Sequence, residues 1–383
     1  IGFLTKEELE QLKSELRRIL KDEINTGIFE IEEGIEDVHS QIEYMLTLKL
    51  GDLGKKIHTA RSRNDQVLTD IKLFLRAEID AILHLVEGLF EELQHKSEAT
   101  REILMPGYTH MQAAMPSSFG LWFGAFAEAL VDDVTQFKAA RSIADQNPLG
   151  SAAGYGSSVP VNRSMTTALM GFRDMSVNVI HAQMGRGKVG QSMAFAMAGL
   201  ASTLNKLSSD VCLFNSQNFG FLKLPDELTT GSSIMPHKKN PDVFELIRAK
   251  TNKLKALPNE LSMISTNLPT GYHRDFQLLK ESLFPAIMDL KDILDISAFA
   301  VSKIQVSEDI LDDPRYRYIY SVEVVNRLVR EGMPFRDAYR EVAKQIDGGT
   351  FRIPDRIDHT HEGSIGNLMN EAIREKFNRA MEH

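Results

Sequence analysis

The residues best suited to do chemistry lie in the segment Gly231-Ser-Ser-Ile-Met-Pro-His-Lys-Lys-Asn-Pro241. Gly231 lends mobility to two serines, Ser232 and Ser233. Lys238 and Lys239 stand beside Asn240 and Pro241, a natural N-cap and a natural first helical residue. The free N–H groups of a helix start, together with two ammonium groups, make an anion site. A Gly-Ser-Ser stretch next to paired lysines contributes little to a core. The segment therefore reads as a loop able to close over a substrate and exclude water. Glu245 follows on the helix, where a first-turn carboxylate also suits the helix dipole.

Three other polar segments interrupt the apolar stretches. Residues 54–66 carry Lys55, Lys56, Arg61 and Arg63 beside Ser62 and Asn64, just ahead of a long helical pattern. That arrangement suits a carboxylate or phosphate; it also reads as a solvated basic loop with Asn64 as the helix cap. Residues 105–116 set Thr109, His110 and Gln112 between two prolines, which suggests an irregular loop. His110 is a candidate for acid–base work or, equally, a histidine tied into local hydrogen bonds. Gly150, Gly154 and Gly156 superficially resemble a dinucleotide loop, but no strand precedes them and no βαβ pattern surrounds them. A small-residue turn that lets the backbone approach a ligand or a helix fits better.

The 231–241 segment also resembles the signature of the fumarase, aspartase, adenylosuccinate lyase and argininosuccinate lyase superfamily. Within it, His58-Thr-Ala-Arg-Ser-Arg-Asn-Asp-Gln66 and Gly107-Tyr-Thr-His-Met-Gln112 resemble the loops of the argininosuccinate lyases, with Tyr108 where fumarases and adenylosuccinate lyases typically carry Arg. Further similarity is found at Glu36-Asp-Val-His39, at residues 272–280 and at Gly332-Met-Pro-Phe-Arg336, so that the resemblance runs from about Gly2 to Leu368. Three positions depart from the family pattern. His237 stands where Gln is commoner, Asn162 where Asp is usual and Asn218 where Glu is usual.

The resemblance implies a carbon–nitrogen lyase that splits argininosuccinate into arginine and fumarate, the last step of arginine biosynthesis. It implies Ser232 as the base, with Lys238 and Asn240 stabilising the doubly charged aci-carboxylate. His110 is the implied proton donor to the departing guanidinium, oriented by Glu245. Ser62, Arg63 and Asn64 are implied to hold the fumarate-side carboxylates, Thr109 and Gln277 to bind substrate, and Tyr272 and Lys280 to meet the arginine end. The implied fold is all-α with three domains. Its long central helices form the core of a homotetramer, and each active site takes loops from three subunits. Adenylosuccinate lyase chemistry, favoured by His237 alone, and a non-catalytic scaffold are the rival readings.

The elements that must position these loops are helices. Prolines are absent before Pro106 and between Pro160 and Pro225. Apolar residues recur at helical spacing over 64–97, from Val67 and Ile71 to Leu89 and Leu93, with Leu68, Leu75, Leu83 and Phe90 on other faces. Such a helix, about 50 Å long, is buried on several sides. The same pattern covers 116–144, 163–216, 241–265 and 274–303, and few alternating β-branched runs argue for a sheet. Shorter helices are expected over 320–330 and 334–346. The division expected is 1–60 for an N-terminal helical domain whose start lies before Ile1, 61–307 for a central long-helix bundle and 308–383 for a small C-terminal domain.

Bulk composition agrees. The chain has 383 residues, 43% hydrophobic and 25% charged, with a net charge of −9, which disfavours a nucleic-acid partner. Anionic substrates then require a local cationic cluster. Cys212 alone excludes an internal disulfide, fits a reducing, cytoplasmic setting and reads as a buried thiol. No metal-ligand spacing, signal peptide or membrane-length apolar run is present, so neither a cofactor, a metal nor a membrane is expected.

Overall fold

The computed structural model describes residues 2–382; Ile1 and His383, the outer ends of the expected domain spans, lie outside them. Helix α1 (Lys6–Ile19) starts on a reciprocal cap. Glu8 N–H donates to the Thr5 hydroxyl at 3.1 Å, and Thr5 N–H donates to the Glu8 carboxylate at 2.8 Å. Helix α2 (Val38–Leu50) is capped by Asp37, whose carboxylate accepts from Ser40 N–H at 2.7 Å. It stops at Gly51 (φ +62°), a conformation that glycine adopts without penalty. The short α3 (Asp52–Lys55) lies so close to α2 that a Cβ on Gly54 would stand 2.4 Å from Thr47 N. Leu12, Ile19 and Leu46 form the buried cluster of this region.

Six helices follow: α4 (Arg63–Ala99), α5 (Phe119–Ala144), α6 (Arg163–Leu169), α7 (Val179–Asn215), α8 (Asp242–Ile264) and α9 (Leu278–Lys303). A 3₁₀ turn at Arg274–Gln277 leads into α9. The two longest, α4 and α7, have 37 residues each. Leu68, Leu75, Ile79, Ile82, Val86, Leu89, Phe90 and Leu93 are buried along α4. The expected single helix over 163–216 is corrected to two. Gly171 (φ +63°) ends the α6 turn, and Asn178 restarts the helix by accepting from Ile180 and His181 N–H at 2.9 and 3.0 Å. Asn162 caps α6 by accepting from Met165 N–H at 2.9 Å, a job the family's usual Asp would do equally well. Helices α10 (Ser321–Arg330), α11 (Phe335–Asp347) and α12 (Asn370–Glu382) complete the chain.

The structure corrects the reading of residues 105–116 as an irregular loop. Strands β1 (Leu104–Thr109) and β2 (Gln112–Ser118) form an antiparallel hairpin, with a bulge between Gly107 and Tyr108. Its composition has almost no β-branched residues, so alternation gave no signal; the register is set by the turn. His110 (φ +53°) and Met111 (φ +59°) are that turn, both left-handed as a two-residue type I′ connection requires. Three smaller pairs are two residues per strand: β3 (Gln146–Asn147) with β4 (Asp174–Met175), β5 (Leu222–Lys223) with β8 (Gln305–Val306), and β6 (Thr230–Gly231) with β7 (Lys239–Asn240). The fold remains all-α.

The chain divides into two compact units, each drawn from three stretches. One comprises the residues up to Ala77, Arg141–Ser192 and Leu261–Glu281. In it Lys72 is buried and donates to the carbonyls of Ile143 and Gln146, at 3.4 and 2.9 Å. Burial pulls its ammonium down to about 8.

The other unit comprises Glu78–Ala140, Met193–Glu260 and the residues from Ser282 onward. Polar bonds between partly buried helix faces bind it: Thr203 to Asp133 at 2.7 Å, Asn205 to Thr251 at 3.0 Å and Lys291 to Glu78 at 2.7 Å. Phe377 of α12 stacks on Phe90 at 3.8 Å between ring centroids, and Lys376 pairs with Glu128 at 2.9 Å. Among the described residues no helix is long and apolar enough to cross a membrane, and no group of His, Cys, Asp and Glu is arranged to hold a metal.

Two predictions follow from this packing. Burial raises the Asp133 carboxyl to about 6, while the Thr203 bond works the other way. Between its ordinary value near 3.8 and 6 the folded state holds more protons than the unfolded, so stability falls as pH rises through that window. Asp133→Asn should therefore stabilise the protein by about 1–3 kcal/mol at pH 7–8, with the gain gone below about pH 4; denaturant midpoints at both pH values measure it. Met111→Gly should raise the unfolding free energy by up to about 1 kcal/mol by relieving a left-handed side chain. Met111→Val should lower it.

Candidate active site

Residues 230–242 form a clamped arch. The β6–β7 ladder pairs Thr230 with Asn240 and Gly231 with Lys239, so Gly231, read as a hinge, is held at the base. Outside the ladder, the Thr230 hydroxyl donates to Asp242 and the Lys239 ammonium pairs with Asp226. A second turn, with Pro236 at its favoured position, is closed by Lys238 N–H donating to Met235 C=O at 3.0 Å. Between these fixtures sits Ser232. Its Oγ accepts from Met235 N–H at 3.1 Å and, more weakly, from Ile234 N–H at 3.4 Å. The expected cap is corrected: Asn240 is in the ladder, and the first helical bond of α8 runs from Glu245 N–H to Pro241 C=O at 3.1 Å. Lys238, His237 and Ile234 are exposed at the tip, Ile234 at 82%.

His110 is carried on the β1–β2 turn, exposed, with Thr109 and Gln112 paired directly below it. A cavity of about 620 Å³ opens beside it, lined by Tyr108, Trp122, Asp210, Phe214 and Phe219 among others. Tyr108 donates to the Tyr316 hydroxyl at 3.1 Å and packs edge-on against Phe219. Burial, then that bond, pushes the Tyr108 phenol well above its usual range. Tyr108 thus braces the hairpin from within the aromatic cluster. Glu245 pairs with Arg248 at 3.8 Å. Cys212 is half-buried rather than fully so, and burial raises its thiol. Among the described residues no hydrogen bond or ion pair joins His110, Ser232, Lys238 and Glu245 to one another.

The start of α4 is held differently. Ser62 C=O accepts the first helical bond, from Gln66 N–H at 3.1 Å, and its hydroxyl accepts from Asn64 N–H at 3.2 Å. Ser62 is therefore the cap, where Asn64 had been one candidate. Asp65 accepts from Ser62 N–H on one oxygen and from Gly150 and Ala152 N–H on the other, all at 2.9 Å, and is wholly buried. That carboxylate anchors the glycine-rich 147–158 turn, in which Gly150 (φ +86°) lies so near Arg163 that a Cβ would stand 2.8 Å from its Cγ. Arg63 is engaged by Asp37 at 3.1 Å, Glu43 at 3.6 Å and Ser40 at 3.0 Å. The Glu36-Asp-Val-His39 match thus has a structural job, with His39 on Asp70 at 2.8 Å.

The segment before α9 brings two candidates together: Gln277 donates to the Tyr272 hydroxyl at 2.8 Å, and Lys280 is half-buried in the first turn of the helix. Sequence reasoning missed Asp65, Arg163 and Arg186. For Asp65 a signal existed, since Ser62 and a carboxylate three residues on form a capping box. Arg163 donates to the carbonyls of Leu149, Ser176 and Val177, which no local pattern announces.

Known proteins resemble this chain closely. A protein-family model described as a lyase matches residues 1–254. The argininosuccinate lyase of Bacteroides fragilis is 60% identical over 382 residues, covering 100% of this chain and 85% of its own length. That of Thermotoga neapolitana is 41% identical over 344 residues, 90% of this chain and 86% of its own. Among solved structures, EDDS lyase in complex with formate matches with a TM-score of 0.79 at 22% identity, over 100% of this chain and 82% of the other. Class II fumarase from Schistosoma mansoni gives 0.75 at 17%, over 100% and 87%. The structural likeness carries the fold, the expected all-α lyase fold. The identity to the curated enzymes over the whole chain carries more, and by it this chain belongs to the argininosuccinate lyase family.

Proposed function

We propose that this protein cleaves argininosuccinate into arginine and fumarate by β-elimination, in a cytoplasmic arginine-biosynthetic role. Family membership supports the reaction class, and one observation carries the residue assignment. The Ser232 hydroxyl oxygen sits under two backbone N–H groups in a clamped arch. A serine hydroxyl is too weak a base by itself; donors already aimed at its oxygen favour the alkoxide, and closure over substrate excludes the water that would compete. Ser232 then removes the proton next to the carboxylate. Lys238 and Asn240 stabilise the aci-carboxylate, the largest charge to develop in the reaction. His110 delivers a proton to the departing guanidinium, with Glu245 orienting its ring.

Ser62, Arg63 and Asn64 hold the fumarate-side carboxylates in this reading, with Arg63 turning from Asp37 and Glu43 or acting through its field. Thr109, Gln277, Tyr272 and Lys280 bind the rest of the substrate. His110 and Glu245 come from different subunits of a homotetramer. That assembly is supported by the apolar side chains that the long helices leave exposed, among them Phe195, Leu246 and Met288. The three-domain division at 60 and 307 belongs to the same proposal.

Turnover can be followed by fumarate absorbance. Ser232→Ala should retain less than a few per cent of wild-type turnover. His110→Asn should lose about 10²–10⁴ in kcat with little change in KM. Mixing and reassembling the two inactive variants should restore part of the activity, since hybrid tetramers contain sites with neither substitution; recovery of none would remove the shared-site model.

A further inference from the structure

One buried arginine has no carboxylate partner among the described residues. Arg186 on α7 is only 5% exposed, and among the described residues no carboxylate lies within ion-pair distance of it. Its Nη1 donates to Asn64 C=O at 3.3 Å, while its Nε is buried with no hydrogen-bond partner at all. The guanidinium lies 4.7 Å above the ring of Tyr272. An apolar side chain of similar length would fill this place at lower cost, because a buried cation with one long hydrogen bond is poorly compensated for lost hydration.

What Arg186 touches gives its presence a purpose. Asn64 is in the first turn of α4, and the hydroxyl of Tyr272 is held by Gln277. One guanidinium thus spans two segments that carry substrate-binding candidates. The neighbouring residue strengthens the point. A Cβ on Gly187 would stand 2.8 Å from Ser265 Oγ and 3.3 Å from Phe276, so α7 is the platform on which the 265–277 segment is seated. On that platform the segment is loosely supported: Asn267 (φ +65°) and Gly271 (φ +113°) are left-handed, and a cavity of about 270 Å³ lies against 268–271. The cation–π contact adds to the tilted contact of the ring with Phe276, at 6.4 Å between centroids, in fixing it.

We propose that Arg186 is a positioning residue of the substrate site, fixing the Tyr272 ring and the Gln277 amide against the α4 start and keeping a positive field there. The inference rests on the substrate-site reading given above. Its consequence separates affinity from stability, because the group is costly to the fold and useful to the site.

The test uses the full chain with Arg186→Met, Arg186→Lys, Tyr272→Leu and the double variant Arg186→Met/Tyr272→Leu. Arg186→Met should raise KM for argininosuccinate at least 10-fold and weaken succinate binding by calorimetry, with kcat within 3-fold and a Tm equal to or above wild type. Arg186→Lys, which keeps charge but not the planar stack, should raise KM by a smaller factor. Adding Tyr272→Leu to Arg186→Met should raise KM less than 3-fold further. An unchanged KM in Arg186→Met, a KM rise matched by a fallen Tm, or independent effects in the double variant would each overturn the role. A wild-type chain that turns over no argininosuccinate would overturn the activity itself, and that is visible before any variant is made.

Discussion

The buried carboxylate of Asp65 is the interaction on which the loops of the first unit depend. Wholly removed from water, it is compensated by three backbone N–H groups, one from its own helix cap and two from the 147–158 turn. A charge in that position has few tolerable arrangements, since losing any donor leaves a buried anion short of hydrogen bonds. The chain ahead of α4 and the glycine-rich turn are therefore fixed relative to each other, and with them Ser62 and Asn64. Gly150 is required because its left-handed backbone passes within contact of Arg163, whose guanidinium ties the same turn to the carbonyls at 176 and 177.

Three arginines of this unit show how partners sort residues of one type. Arg163 is satisfied by three carbonyls, and Arg63 by Asp37, Glu43 and Ser40. Both hold the fold. Arg186 has one long hydrogen bond and an aromatic face. In a buried setting, incomplete satisfaction is stable only where the surrounding structure over-determines it, which is the common condition of groups kept for a site.

The long helices were legible because apolar residues at helical spacing over more than twenty positions have no other reading, and α4 shows this best. The break after α6 was less so, because one glycine and one asparagine accomplish it within an otherwise helical pattern. The hairpin was not legible at all. Residues such as Met105, Pro106, Gly107 and Ala113 carry no strand signal, and Met111 is a poor residue for a left-handed turn. Candidate loops were found because reactive side chains crowd where a linker needs none. The partners that fix them, Asp65 with Gly150 and Arg186 with Tyr272, are 85 and 86 positions apart in the chain and follow no spacing rule.

The hairpin and the arch share a design that explains why this chain places small β elements in a helical fold. A helix end would leave His110 or Ser232 on a fraying turn, whereas a two-stranded base fixes the direction of whatever its tip carries. In the arch the ladder is reinforced by Thr230 on Asp242 and Lys239 on Asp226, so Ser232 sits above a closed ring with backbone donors at its oxygen. In the hairpin the ring is closed by two left-handed residues at some cost in strain, and Tyr108 anchors it below through the Tyr316 hydroxyl. The strain is tolerable because the anchor is aromatic and bonded to the buried Tyr316. Tyr108, read in the sequence as a mark of which lyase this is, is in physical terms a brace for the turn that presents His110.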